Sequence, residues 1–105
     1  MEEAATTSSA DEQKHLVLRL YVAGHAPNSQ RAQDNLMNIC REYFDGNCQV
    51  EVVDVFASPQ QALDDGIVVT PTLLKVAPNP RVRIVGDLSA TEKVVLTLGG
   101  RMKRK

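Results

Sequence analysis

From residue 16 to 22 (LVLRLYV) the chain alternates, with Leu16, Leu18 and Leu20 on one face, Val17, Arg19 and Tyr21 on the other, and Val22 returning to the first. That period of two predicts a β-strand. Because both faces are largely apolar, the strand reads as a central one, covered on both sides. The period then changes. Ala32, Leu36, Ile39, Cys40 and Tyr43 recur at spacings of three and four, opposite Gln33, Asn35, Asn38 and Arg41, which predicts an amphipathic helix with Cys40 in the core. Between the two lie Gly24 and Pro27, with Asn28 or Ser29 as the expected N-cap. Gly46 is the expected left-handed residue after the helix. Val50, Val52, Val53, Val55 and Phe56 make a second β-rich run, so the first half is a strand, helix and strand of the parallel crossover type.

The second half is built from shorter signals. Ser58-Pro59 has the N-cap and N1 pattern, opening a short helix over 60–65 that stops at Gly66. Residues 67–76 (IVVTPTLLKV) place a proline inside a run of β-formers. Proline lacks a ladder donor and belongs at strand starts, edges or bulges, so a strand entered through Thr70-Pro71-Thr72 is expected. Ala77-Pro78-Asn79-Pro80 is a turn, residues 81–85 (RVRIV) a hairpin partner strand, and Ser89-Ala90-Thr91-Glu92 a capping box opening a helix that Gly99-Gly100 ends. The order β-α-β-α-β-β-α defines an α/β single domain with the thioredoxin-like arrangement. That fold keeps a cis bond before its third strand, so Thr70-Pro71 is expected to be the structural pivot and cis.

Composition sets bounds around this domain. With 105 residues, 43% hydrophobic and 24% charged, the chain has enough apolar surface for one core without staples. Its net charge of −1 hides opposite ends. Residues 1–14 read as a disordered acidic leader, 15–100 as the domain, and 101–105 (RMKRK) as a basic tail. The body between them has seven basic and nine acidic residues, without the basic stripe expected of a nucleic-acid protein. No run reaches the roughly 20 apolar residues of a membrane span, and the start lacks the apolar centre of a secretory signal, so a cytoplasmic protein is expected. His15 and His25 stand apart, and Cys40 and Cys48 match no metal-ligand spacing, so neither metal nor cofactor is expected and both thiols read as reduced and structural.

The chemistry of a thioredoxin-like oxidoreductase requires a low-pKa thiolate at the start of the first helix. Gly24-His25-Ala26-Pro27-Asn28-Ser29 has no cysteine there. A glutathione-dependent enzyme needs less, and Ser29 and Ser89 are conceivable in thiol-activating and γ-glutamyl-binding roles, although both stand where helix caps are required. His25 has neither a nucleophile nor an orienting carboxylate beside it in sequence.

Residues 18–29 (LRLYVAGHAPNS), 52–60 (VVDVFASPQ), 67–76 (IVVTPTLLKV) and 84–94 (IVGDLSATEKV) together resemble the KaiB family. The resemblance covers 16 to about 98, and its combination of motifs is more specific than any one of them. It implies a non-enzymatic module that binds the N-terminal ATPase ring of KaiC in circadian or related timing and stress systems. There it would compete with a SasA-type kinase sensor domain and engage KaiA where KaiA exists. It also implies fold switching between the thioredoxin-like form and a β-α-β-β-α-α-β ground state that forms homo-oligomers, dimers or tetramers. Carried over by position, Lys75, Arg31 and Arg83 are expected contacts to an acidic partner surface, and Asp87 is expected to cap the last helix. Val94, Val95, Leu96, Thr97 and Leu98 fall in the switching region. Independently, three of those five are β-branched beneath a helix-start signal, a local conflict of preferences. The sequence departs from the family in its shifted arginine after the proline turn, in Thr97-Leu98-Gly99, and in its basic tail.

Overall fold

The structure, a computed structural model, describes residues 15–100; the acidic leader and basic tail expected from sequence lie outside them. Seven elements follow in order: β1 (Leu16–Val22), α1 (Pro27–Tyr43), β2 (Cys48–Asp54), α2 (Pro59–Asp64), β3 (Thr72–Ala77), β4 (Val82–Val85) and α3 (Thr91–Thr97). This is the expected β-α-β-α-β-β-α order. The sheet runs β2-β1-β3-β4, so β1 is interior, as its two apolar faces require. β1 and β2 are parallel, whereas β1–β3 and β3–β4 are antiparallel. A bulge falls where the β1–β3 register shifts between Val17 and Leu18.

The alternation of β1 divides the interior. Leu16, Leu18, Leu20 and Val22 join Leu73, the Ala32, Leu36, Ile39 and Cys40 stripe of α1, and Val94, Val95 and Leu98 in the main core. Tyr21 joins Val53 and Ala62 on the opposite face, under α2. That second face is only partly roofed, because α2 has six residues against the seventeen of α1.

Several local expectations are corrected. α1 begins one position before Asn28, with Ala26 at the cap and Pro27 supplying the preset φ at N1; no side chain caps it. Ser29 is instead buried, and its Oγ accepts the Ala23 N–H at 3.1 Å, fastening the loop to the helix. After α1 the left-handed conformation starts at Asp45 (φ 53°) and continues at Gly46 (φ 75°), so aspartate takes the position expected of glycine. β2 runs from Cys48 and stops at Asp54, before Val55 and Phe56. The Asp54 carboxylate accepts the Phe56 N–H at 2.9 Å and the Gly24 N–H at 3.3 Å, and this Asx turn bends the chain out of the sheet. α2 starts at Pro59 with Ser58 at its cap position, but the serine hydroxyl makes no capping bond. β4 likewise begins one residue later than expected, at Val82.

The capping box of α3 does not form either. Ala90 is the cap residue and makes no side-chain bond; the Asp87 carboxylate accepts the Ser89 N–H at 3.0 Å, ordering the loop before the helix rather than the helix itself. The other end is well closed. Gly99 (φ 94°) donates to Leu96 O at 3.1 Å and Gly100 to Val95 O at 2.9 Å, the two bonds of a Schellman motif.

Candidate partner-binding surface

The Thr70-Pro71 bond is cis, as expected, and the loop is pinned on both sides. Thr72, buried at the start of β3, donates its hydroxyl to Val69 O at 2.7 Å, and Gly86 donates to Pro71 O at 2.9 Å. Thr72 pairs with Tyr21, so the proline loop sits at the end of the sheet where β1 runs into Ala23 and Gly24. In this place a thioredoxin-like enzyme would hold its nucleophile. Here His25 Nδ1 faces Gln30 Nε2 at 3.2 Å, and both lie on the surface. The burial of Ser29 also withdraws the hydroxyl that a glutathione-dependent reading needs. Ser89 is exposed, in the Asp87 loop.

What this end of the sheet does display is apolar surface. Phe56 (76% exposed) and Val68 (89% exposed) flank a cavity of about 240 Å³ whose walls include Val55, Ala62, Ile67 and Thr70, with Val69 on its rim and Leu63 exposed on α2. The expectation that Phe56 continues the second strand hides this cluster in the sequence. The available signal was Asp54, two residues before Phe56, which is the spacing of an Asx turn.

The basic residues expected to face a partner have three different environments. Lys75 is 4% exposed: its register opposite Val82, two residues from the Leu73–Ile84 pair, places it on the main-core face of an interior strand. The expected surface contact is thus corrected, since the thioredoxin-like form does not display this side chain. Arg83 spreads its guanidinium over two carbonyls, Nη1 to Gly66 O and Nη2 to Asp65 O, each at 2.9 Å, closing the chain after α2. Arg31, like Arg83, lies on the surface. It bonds the Asn28 side chain and approaches Asp87 Oδ2 at 3.4 Å. With Asn35 Nδ2 donating to Asp87 O at 2.8 Å, it ties α1 to the loop before α3. Asp87 therefore serves this tie and the Ser89 turn, not the helix cap expected of it. Its carboxyl is held below the usual range by the Ser89 hydrogen bonds first and by Arg31 second.

On the partly roofed face a polar network replaces apolar packing. Arg19 pairs with Glu51 and Asp65, each at 2.9 Å, and Tyr21 donates to the Asp65 carboxylate and to Gln61 O. Burial, then the bond to Asp65, pushes the Tyr21 phenol up to about 12. The same bond, reinforced by Arg19, lowers the pKa of Asp65. This network fixes α2, and hence the apolar cavity above it, to β1.

In the region expected to switch, all five residues are helical or at the helix end. Val94, Val95 and Leu98 are buried against α1, Leu96 faces outward, and Thr97 returns its hydroxyl to Lys93 O at 2.7 Å.

The KaiB domain matches residues 19–99. The chain belongs to the KaiB family. It is 52% identical over 85 residues to the circadian clock oscillator protein KaiB of Microcystis aeruginosa, covering 81% of this chain and 82% of that one. It is 46% identical over 87 residues to the circadian clock protein KaiB3 of Synechocystis sp., covering 83% and 85%. In three dimensions it resembles the N-terminal domain of Synechococcus elongatus SasA, with TM-score 0.71, 25% identity and coverage of 93% and 87%. Mitochondrial thioredoxin 3 of Saccharomyces cerevisiae follows the same fold at TM-score 0.64 and 20% identity, covering 86% and 85%. This KaiB-family chain is thus built on a thioredoxin-like frame. No helix among the described residues is long and apolar enough to cross a membrane.

Proposed function

We propose that this chain is a cytoplasmic regulator that binds the N-terminal ATPase ring of KaiC in a circadian or related timing or stress system, in competition with a SasA-type sensor domain. The observation that carries the reading is one fold in two related settings: a chain about half identical to clock proteins superposes on the SasA N-terminal domain. Two modules of one shape, each presenting the same end of its sheet, compete for one docking position. Phe56, Val68 and Val69 form the apolar centre of that position, and Arg31, exposed on α1, supplies a positive charge for an acidic partner. KaiA is a further partner where a system contains it.

Conversion to a β-α-β-β-α-α-β homo-oligomeric ground state belongs to the same proposal. Its physical basis is α3, a seven-residue helix with no side-chain cap and three β-branched residues, Val94, Val95 and Thr97, whose intrinsic preference favours a strand. KaiC would then select the thioredoxin-like form.

The test is a titration of fluorescently labelled protein with KaiC and ATP, followed for hours so that slow conversion is included. Binding is expected, with displacement by excess SasA N-terminal domain. Phe56→Asp should weaken binding about tenfold or more, the scale of an aromatic anchor, while leaving the far-ultraviolet circular dichroism unchanged because the side chain is exposed. Absence of binding by the wild-type chain would overturn the assignment.

A further inference from the structure

The two cysteines, eight positions apart in sequence, are brought to one cavity at the end of the sheet opposite the proline loop. Cys40 lies in the last turns of α1 and is buried; Cys48 is the first residue of β2, half-buried beside Leu16. Their side chains share the wall of an open cavity of about 410 Å³ with Met37, Arg41, Gly46 and Val50. The tight turn between them keeps this placement: Phe44 and Gly46 both donate to Cys40 O, and Leu16 donates to Asn47 O at 2.9 Å. Core packing needs one apolar side chain at each position. It does not need two thiols on the wall of one opening to solvent.

We propose that Cys40 and Cys48 are a peroxide-responsive dithiol that closes to a disulfide between the end of α1 and the start of β2. The environment assigns the roles. Cys48 stands nearer solvent than its neighbour, and the proximity of Cys40 holds its thiol below the ordinary range. Cys40 keeps its proton, because the neighbouring Cys48 and burial both raise its thiol and it lies in the last turn of α1, at the negative end of the helix dipole. Arg41, on the same cavity, adds positive potential where the thiolate forms.

The Cys48 thiolate attacks one oxygen of a hydroperoxide, the O–O bond breaks, and the leaving hydroxide takes up a proton to become water. Cys48 is then a sulfenic acid. The Cys40 sulfur attacks it, the S–O bond breaks, and the Cys40 proton leaves with the hydroxide as a second water. The dithiol loses two electrons and the peroxide gains them. Closing to an S–S bond of about 2.05 Å requires side-chain rotation at two residues that line one cavity on either side of a tight turn. This chemistry is separate from KaiC binding, and its readout does not depend on it.

The experiment treats the reduced full chain with a small excess of hydrogen peroxide and follows intact mass and alkylation by iodoacetamide. The wild type should lose about 2 Da, lose both alkylatable thiols without forming a covalent dimer, and recover both on adding dithiothreitol. Cys40→Ala should stop at oxygen adducts of Cys48, and Cys48→Ala should slow oxidation of the remaining thiol about tenfold or more. The wild-type measurement needs no variant, so a poorly folded mutant leaves the test intact. A wild-type chain that keeps two alkylatable thiols after treatment, or forms disulfides only between chains, would overturn the proposal.

Discussion

The first crossover, β1-α1-β2, and the closing segment, β3-β4-α3, share one core but hold their shapes by different means. In the crossover, each local preference agrees with the final structure: two seven-residue strands pair along their whole length, and a seventeen-residue helix buries a continuous stripe. In the closing segment the elements are short, α3 is uncapped and rich in β-branched residues, and the chain depends on ties to the first half. Asn35 and Arg31 hold the Asp87 loop, and Gly100 lies against Phe44 at the end of α1. A region whose local and tertiary terms agree resists change. One held mainly by tertiary ties can exchange them for others at small cost.

The largest test of this contrast is Leu36→Ala. Leu36 is fully buried in the α1 stripe, and truncation should cost about 2–5 kcal/mol with a single urea transition for the whole domain. Val95→Ala, equally buried but in α3, should cost less, since removing a β-branched residue returns roughly half a kcal/mol of helix preference. Equal losses would break the distinction between the halves.

A second test is pH. The folded Tyr21 phenol is pushed up to about 12 by burial and by Asp65, above the ordinary value of about 10. The protonated phenol therefore stabilises the fold fully below pH ~10, and this contribution of about 2–3 kcal/mol is lost as pH rises from ~10 to ~12. Asp65, lowered in the folded state by the Tyr21 bond first, has the opposite sign. Its stabilisation is present above the unfolded carboxylate value and disappears as pH falls through the folded one. Tyr21→Phe should flatten the alkaline limb of a stability–pH curve; an unchanged limb would remove Tyr21 as its cause.

Gly100→Ala probes the tie between the halves directly. A Cβ at this position would lie 2.7 Å from Phe44 Cζ and 3.0 Å from Val95 Cγ1, closer than packed atoms tolerate. The expected cost is about 1–3 kcal/mol, with amide exchange accelerated at Val95 and Leu98 before it rises in β1. Uniform acceleration would mean that α3 does not open separately.

The same contrast explains what was legible in the sequence. Order and type of every element could be read, because period two in 16–22 and the three-four spacing from Ala32 to Tyr43 are each imposed by one dominant core. The misreadings cluster where a polar side chain had two plausible uses. Ser29 was read as a cap, but its hydroxyl meets the Ala23 N–H in the core. Lys75 carries a charge that suggests surface, but strict alternation in T-L-L-K-V puts it on the same face as Leu73, and register decides. Phe56 seemed to prolong β2, yet Asp54 satisfies the backbone two residues on and ends it. The apolar patch at the proline loop was hidden for this reason, since exposure at a turn depends on where a strand stops.

The smallest expected effect tests the weak point of α3 itself. Ala90 occupies the cap position and offers no acceptor to the first free N–H groups of the helix, whereas α1, also without a side-chain cap, begins with a preset proline and continues for seventeen residues. Ala90→Ser supplies the missing acceptor and should stabilise the thioredoxin-like form by about 0.5–1 kcal/mol. Under the proposed conversion between folds, the gain should appear as faster onset of KaiC binding as well as a higher denaturation midpoint. A raised midpoint without faster binding would mean that α3 formation does not limit access to the binding-competent state, and the contrast between the two halves would then describe stability alone.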